Sequence, residues 1–167
     1  HNDAYRAKPE RWAPARTEYR DNLLRFIWDV RIAGAHPVLL TPVARRSFGA
    51  DGRAKADFAD YSAVVRELAA STHTPLIDLE SLSRAWVDRA GRDGSKAYYL
   101  HYSPQDHAPG FPKGVDDDTH FSELGARQVA NLVAGGLKAL NLSISAKVLA
   151  PRPALTRTTP LGRTECQ

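Results

Sequence analysis

The chain has 167 residues, 43% of them hydrophobic and 25% charged, with a net charge of +4 and a pI of about 9.4. This length and composition fit one soluble globular domain that buries a core without disulfides or metals. No apolar run reaches the ~18 residues of a membrane span, and the lone Cys166 excludes an intrachain disulfide. The arginines, Arg16, Arg20, Arg25 and Arg31 among them, are interleaved with acids and apolar residues, so no basic stripe for nucleic acid forms. Neither nucleic acid nor a membrane is expected as a partner. The chain lacks a signal peptide and has no methionine, so a chain opening on His1 is expected to be processed or cut from something longer.

In chain order, Thr17 is the expected N-cap of a helix whose Leu23, Ile27 and Val30 recur at helical spacing, with Gly34 as its stop. "HPVLLTPV" reads as a buried strand of about five residues, and "ARRSFGADGRAKAD" as a loop. Tyr61, Val64, Val65 and Leu68 mark a second helix, "TPLIDL" a second strand, and "ESLSRAWVDRAG" a third helix closed by Gly91. Residues 92–116, rich in Gly, Pro and aromatics, show no clear period and predict a surface excursion. Ser122 then caps a fourth helix with a stripe of Leu124, Val129, Leu132, Val133 and Leu137. The organisation expected is a domain portion over 1–141 and a tail or linker over 142–167. Helices alternating with short apolar strands predict an α/β fold with a parallel sheet. Two such strands make a narrow sheet, so the pattern reads as the second half of a doubly wound domain.

Chemistry-bearing residues gather at two places. "VDDDTH" is expected in a loop entering the last helix, where Asp117 and His120 can hydrogen-bond. A serine hydrolase needs an imidazole to take the hydroxyl proton and a carboxylate to fix its tautomer. A bare D-x-x-H is short and common, and as easily a solvated acidic turn. At the other place, "HND", the Asn2 amide has the chemistry to donate to a developing oxyanion, but Asn is also an ordinary turn former.

Read together, "HND" and "DDTHFSELGA", with "GAHPVLLTPVARRSF", "YSAVVRELA" and "PLIDL" between them, resemble the SGNH (GDSL) hydrolases. Within that superfamily they are similar to the bacterial rhamnogalacturonan acetylesterases, over roughly residues 1–140. The resemblance implies the C-terminal part of a flavodoxin-like doubly wound parallel sheet in an α/β/α three-layer fold. It implies Asn2 as an oxyanion donor, Asp117 as the triad acid and His120 as the triad base. Asp116 and Asp118 flank the motif and are not its acid. The family's G-D-S nucleophile block and the glycine of its oxyanion hole are not among these residues. "DGS" at 93–95 has the wrong order, and Ser95 is not nominated. This chain alone is therefore expected to be inactive, the N-terminal half of the domain being needed to complete the site.

The implied substrate is acetylated rhamnogalacturonan or an oligosaccharide from it, hydrolysed without a cofactor and without a metal. Its galacturonate carboxylates suggest Arg45 and Arg46, just past a strand end, as substrate-binding residues, since arginine pairs bidentately with carboxylate; the bland reading is a pair of surface arginines. The aromatics of "YYLHYSPQDHAPGFPKG" are expected to pin a long loop rather than to stack on sugars. A polysaccharide substrate suggests an extracellular or periplasmic setting, although a cytoplasmic one is compatible with the sequence. Alternatives are an SGNH esterase or lipase of another substrate class, an inert fragment acting only in binding, and a metal-dependent hydrolase using the His, Asn and Asp of the two blocks.

Overall fold

The computed structural model describes residues 1–149; the part of the expected tail over 150–167 lies outside the described residues. The chain divides into two compact units, His1–Val43 with Ala56–Ser81, and Ala44–Lys55 with the described residues from Leu82 onward.

In the first unit, α1 (Arg20–Ile32) is preceded by a π-helical turn, Ala15–Tyr19. Thr17 does not cap it. Pro14, at φ −54°, sets the entry instead, accepting the Thr17 and Tyr19 N–H groups at 3.3 and 3.2 Å. Gly34 ends the helix at φ 76°, a left-handed conformation that glycine adopts without steric cost. The two strands pair in parallel but are short: β1 is Leu39–Leu40 and β2 is Leu76–Ile77, with Leu39 opposite Leu76 and Leu40 opposite Ile77. Pro37, Pro42 and Pro75 flank them and donate no ladder bonds, which holds the pairing below the five residues expected. Ile27 of α1 and Val64, Val65 and Leu68 of α2 (Ala59–Ser71) close over Leu39, all five less than a tenth exposed. A charged group gathers after β2. Arg66 binds Asp78 at 2.8 Å and Glu80 at 2.7 Å, and the Thr41 hydroxyl donates to Asp78 at 2.9 Å.

In the second unit, α3 (Leu79–Gly94, of which the residues from Leu82 belong here) contributes Trp86 and Val87 to a core with Ala54 and Tyr99. The chain breaks helical geometry at Gly91, φ 69°, as expected, and then makes one further turn. Residues 92–116 do more than wander over the surface. Tyr99–Tyr102 forms β3, antiparallel to β4 (Val115–Phe121), so the acidic cluster lies on a strand and not in the loop that was expected. Neither "YLHY" nor "VDDDTHF" alternates apolar with polar residues, so no period-2 signal marks these strands in the sequence. The aromatics pin this segment: Tyr99 is buried, its hydroxyl donating to the Ala44 carbonyl at 2.8 Å, and Tyr98 packs on Trp86 with ring centroids 4.6 Å apart.

Ser122 caps α4 (Glu123–Ala139) as expected, accepting the Gly125 N–H at 3.2 Å and donating to the Ala97 carbonyl at 2.7 Å. Leu124 is fully buried, while Val129, Leu132, Val133 and Leu137 are half-buried. The start of the expected tail is structured. A short 3-10 turn, Ser145–Lys147, brings the Ser145 hydroxyl onto the Leu137 carbonyl at 2.5 Å, closing the end of α4.

Candidate active site

Asp117 and His120 are brought together by an irregularity of β4. Leu100 of β3 faces Asp117, but the next residue back, Tyr99, faces Phe121. Asp118, Thr119 and His120 therefore have no partner in the ladder and bulge out, an arrangement that re-aims side chains at the edge of a sheet. The Asp117 carboxylate organises the bulge, accepting the Thr119 N–H at 2.6 Å and the His120 N–H at 3.1 Å through Oδ1. Its Oδ2 meets His120 Nδ1 at 2.7 Å. Carboxylates only accept, so Nδ1 carries the proton and Nε2 of a neutral His120 is the basic nitrogen. The imidazole is 58% exposed and the Asp117 side chain 27%, so the ring opens to solvent while its acid is sheltered. Burial pushes the Asp117 carboxyl up, but hydrogen bonds from the His120 ring and the Thr119 and His120 N–H groups outweigh it. They hold it below its ordinary value, ionised and able to orient a histidine.

The flanking aspartates are engaged elsewhere. Asp116 pairs with His101 Nδ1 at 2.5 Å and Asp118 with His101 Nε2 at 2.9 Å. His101, in the middle of β3, falls within the expected surface excursion and carries no signal of its own in the sequence. Arg45 and Arg46 run beside the bulge. Arg45 Nε donates to Thr119 Oγ1 at 2.8 Å. Arg46 is buried at 7% exposure, its guanidinium on Asp118 at 2.6 Å and on the Arg92 carbonyl at 2.6 Å. Arg46, expected with Arg45 to bind a substrate carboxylate, instead meets a carboxylate of the protein's own.

Asn2 belongs to the first unit, on an exposed turn whose carbonyl accepts the Tyr5 N–H at 3.1 Å. The turn is anchored through Asp3, whose carbonyl accepts the Ala13 N–H at 3.0 Å and the Tyr61 hydroxyl at 2.8 Å. A cavity of about 460 Å³ in the same unit is lined by Arg6, Trp12, Arg16, Phe58 and Tyr61 among others; neither Asp117 nor His120 lines it. Ser95 is fully buried with its hydroxyl on the Arg92 carbonyl at 3.2 Å, a poor position for a nucleophile. Among the described residues no three His, Cys, Asp or Glu side chains converge as a metal-ligand set, and no helix is long and apolar enough to cross a membrane.

A parallel strand pair covered by helices and, in the other unit, a D-x-x-H pair at the entry to the last helix are the features on which the chain resembles the SGNH (GDSL) hydrolases. No family model matches it. Within the class its relatives are specific. It is 36% identical over 152 residues to the probable rhamnogalacturonan acetylesterase YesY of Bacillus subtilis, covering 91% of this chain and 65% of that protein. It is 37% identical over 144 residues to the rhamnogalacturonan acetylesterase RhgT of the same organism, covering 86% of this chain and 60% of RhgT. The chain therefore spans slightly less than two thirds of the curated relatives it matches. The crystal structure of the Bacillus subtilis protein YxiM is similar at 27% identity and a TM-score of 0.62, over 75% of this chain and 32% of YxiM.

Proposed function

We propose that Asp117 and His120 are the acid and base of a serine acetylesterase acting on acetylated rhamnogalacturonan, with the nucleophile supplied from outside these 167 residues. The observation that carries this reading is the 2.7 Å contact between His120 Nδ1 and Asp117, which leaves Nε2 as the basic nitrogen of a partly exposed ring. The similarity to two rhamnogalacturonan acetylesterases supports the substrate class.

In this mechanism His120 Nε2 takes the serine hydroxyl proton as the oxygen attacks the acetyl carbonyl. Asp117 stabilises the imidazolium, and the Asn2 amide donates to the oxyanion. His120 returns the proton to the departing sugar oxygen, leaving an acetyl-serine. Water, deprotonated by the same nitrogen, then releases acetate and restores the hydroxyl. Of the two arginines, Arg45 retains the substrate role. Its Nε is held by Thr119, one residue before His120, which fixes the guanidinium near the base for a galacturonate carboxylate.

The test is acetate release from acetylated rhamnogalacturonan by the whole enzyme. His120→Ala is expected to abolish it, and Asn2→Ala to lower kcat by roughly 10²–10³-fold with little change in KM. Full activity in either variant would remove that residue from the mechanism. Equal rates on acetylated xylan and on rhamnogalacturonan would overturn the substrate class and leave the esterase chemistry standing.

A further inference from the structure

We infer that His101, seconded by Arg46, is a positioning residue that fixes the register of β4 and thereby selects Asp117, from three consecutive aspartates, as the partner of His120. Asp116, Asp117 and Asp118 are chemically identical, so nothing in their side chains says which should face the imidazole. The choice lies in the backbone. Side chains alternate faces along a strand, and a slip of one residue exchanges the faces. His101 stands directly opposite Asp116 in the β3–β4 ladder, and Leu100 opposite Asp117. From that place the His101 ring touches Asp116 through Nδ1 and Asp118 through Nε2, the two aspartates that share a face. Asp117, between them, points the other way.

His101 is thus a peg between two carboxylates, hydrogen-bonded through Nε2 to Asp118 and touching Asp116 through Nδ1. Its side chain is only 11% exposed, which makes the contact weigh more than a surface pair would. Arg46 fastens the same point from the other side. Its N–H donates to the Asp118 carbonyl at 2.8 Å and its guanidinium binds the Asp118 carboxylate at 2.6 Å. Both pegs grip the residue where the ladder ends and the bulge begins. The ladder is weakest there, because three residues of β4 face no residue of β3 before Phe121. With Phe121 kept opposite Tyr99, a slip of residues 115–118 by one place would set Asp116 or Asp118 opposite Leu100 at the edge of the bulge and leave His101 facing Asp117. The peg sets a penalty against both slips.

The catalytic consequence rests on the proposed function, but the geometry does not, and the experiment reads the geometry. In the full chain, the Asp117 carboxyl carbon is followed by NMR through an acid titration. The wild-type carboxyl titrates below the ordinary carboxylate range. In His101→Ala, Asp117 is expected to lose its hold on His120 and on the Thr119 N–H, and its midpoint to rise toward the ordinary aspartate value. Trp86→Phe, a core substitution away from the peg, is expected to leave that midpoint unmoved, which separates positioning from general loosening. An Asp117 midpoint unchanged in a folded His101→Ala variant would overturn the inference. Should that variant fail to fold, Asp118→Asn reads the same register from the strand side; an unmoved Asp117 there would be equally fatal. Since no acetate is measured, failure of the esterase reading and failure of the register device are told apart.

Discussion

Each unit of the molecule holds a cluster of arginine and aspartate, and the two clusters differ in what lies beside them. In the first unit, Arg66, Asp78, Glu80 and Thr41 satisfy one another, and Asp78 also receives the Ser81 hydroxyl at 2.8 Å at the start of α3. The network closes on itself and ties β1 to β2. In the second unit, Arg46, Asp118, His101 and Asp116 form a comparable network, but it borders a pair, Asp117 and His120, whose imidazole is mostly exposed. An exposed ion pair adds little to stability. A histidine oriented by an ionised, hydrogen-bonded aspartate and open to solvent is therefore better explained by chemistry than by folding. The comparison separates ionic groups that hold the fold from ionic groups that the fold holds.

Substitutions sharpen that separation. The largest effect is expected from Asp117→Asn, which should lower kcat of the whole enzyme by about 10³–10⁴-fold, as loss of the orienting acid does in a serine triad. The same substitution should change the denaturation midpoint of this chain by less than about 1 kcal/mol equivalent. A large stability loss would move Asp117 into the structural class.

Arg66→Ala should do the reverse, costing about 3 kcal/mol in urea denaturation because Glu80, with a side chain 7% exposed, loses its guanidinium. Acid tests the same cluster. Burial pushes the Asp78 carboxyl up, but hydrogen bonds from Arg66, Ser81 and Thr41 prevail and hold it at about 2, below its ordinary 3.8. Its contribution is thus complete above the ordinary value and disappears as the pH falls from there through about 2. Arg66→Ala should flatten that acid limb, and an unchanged limb would exclude Asp78 as its source.

Gly125→Ala should cost about 2–3 kcal/mol, because a Cβ there would overlap the Tyr98 carbonyl oxygen where α4 crosses the chain entering β3. Ser122→Ala should cost about 1 kcal/mol through loss of the cap. Thermal melts of both variants, with His120 followed by NMR, would show whether α4 must be seated for the bulge to keep its shape.

Much of this was legible before any coordinates. The apolar periodicity gave Ile27, Val64, Val65 and Leu68 as core, and Gly34, Gly91 and Ser122 marked helix ends, because helix spacing, positive φ and capping are local properties. Asp117 and His120 were legible as a pair for the same reason: three residues separate them, and a turn of any kind brings them within reach. The β3–β4 pairing was not legible, since antiparallel register depends on a partner thirteen or more residues away and neither strand alternates apolar with polar residues. The burial of Arg46 against Asp118 was not legible either, because the two are remote in sequence. The sequence by itself determined that Asp117 and His120 lie three residues apart, ahead of the helix that Ser122 caps. Only the tertiary structure decided what engages the flanking Asp116 and Asp118, because His101 and Arg46, which meet them, are remote in sequence.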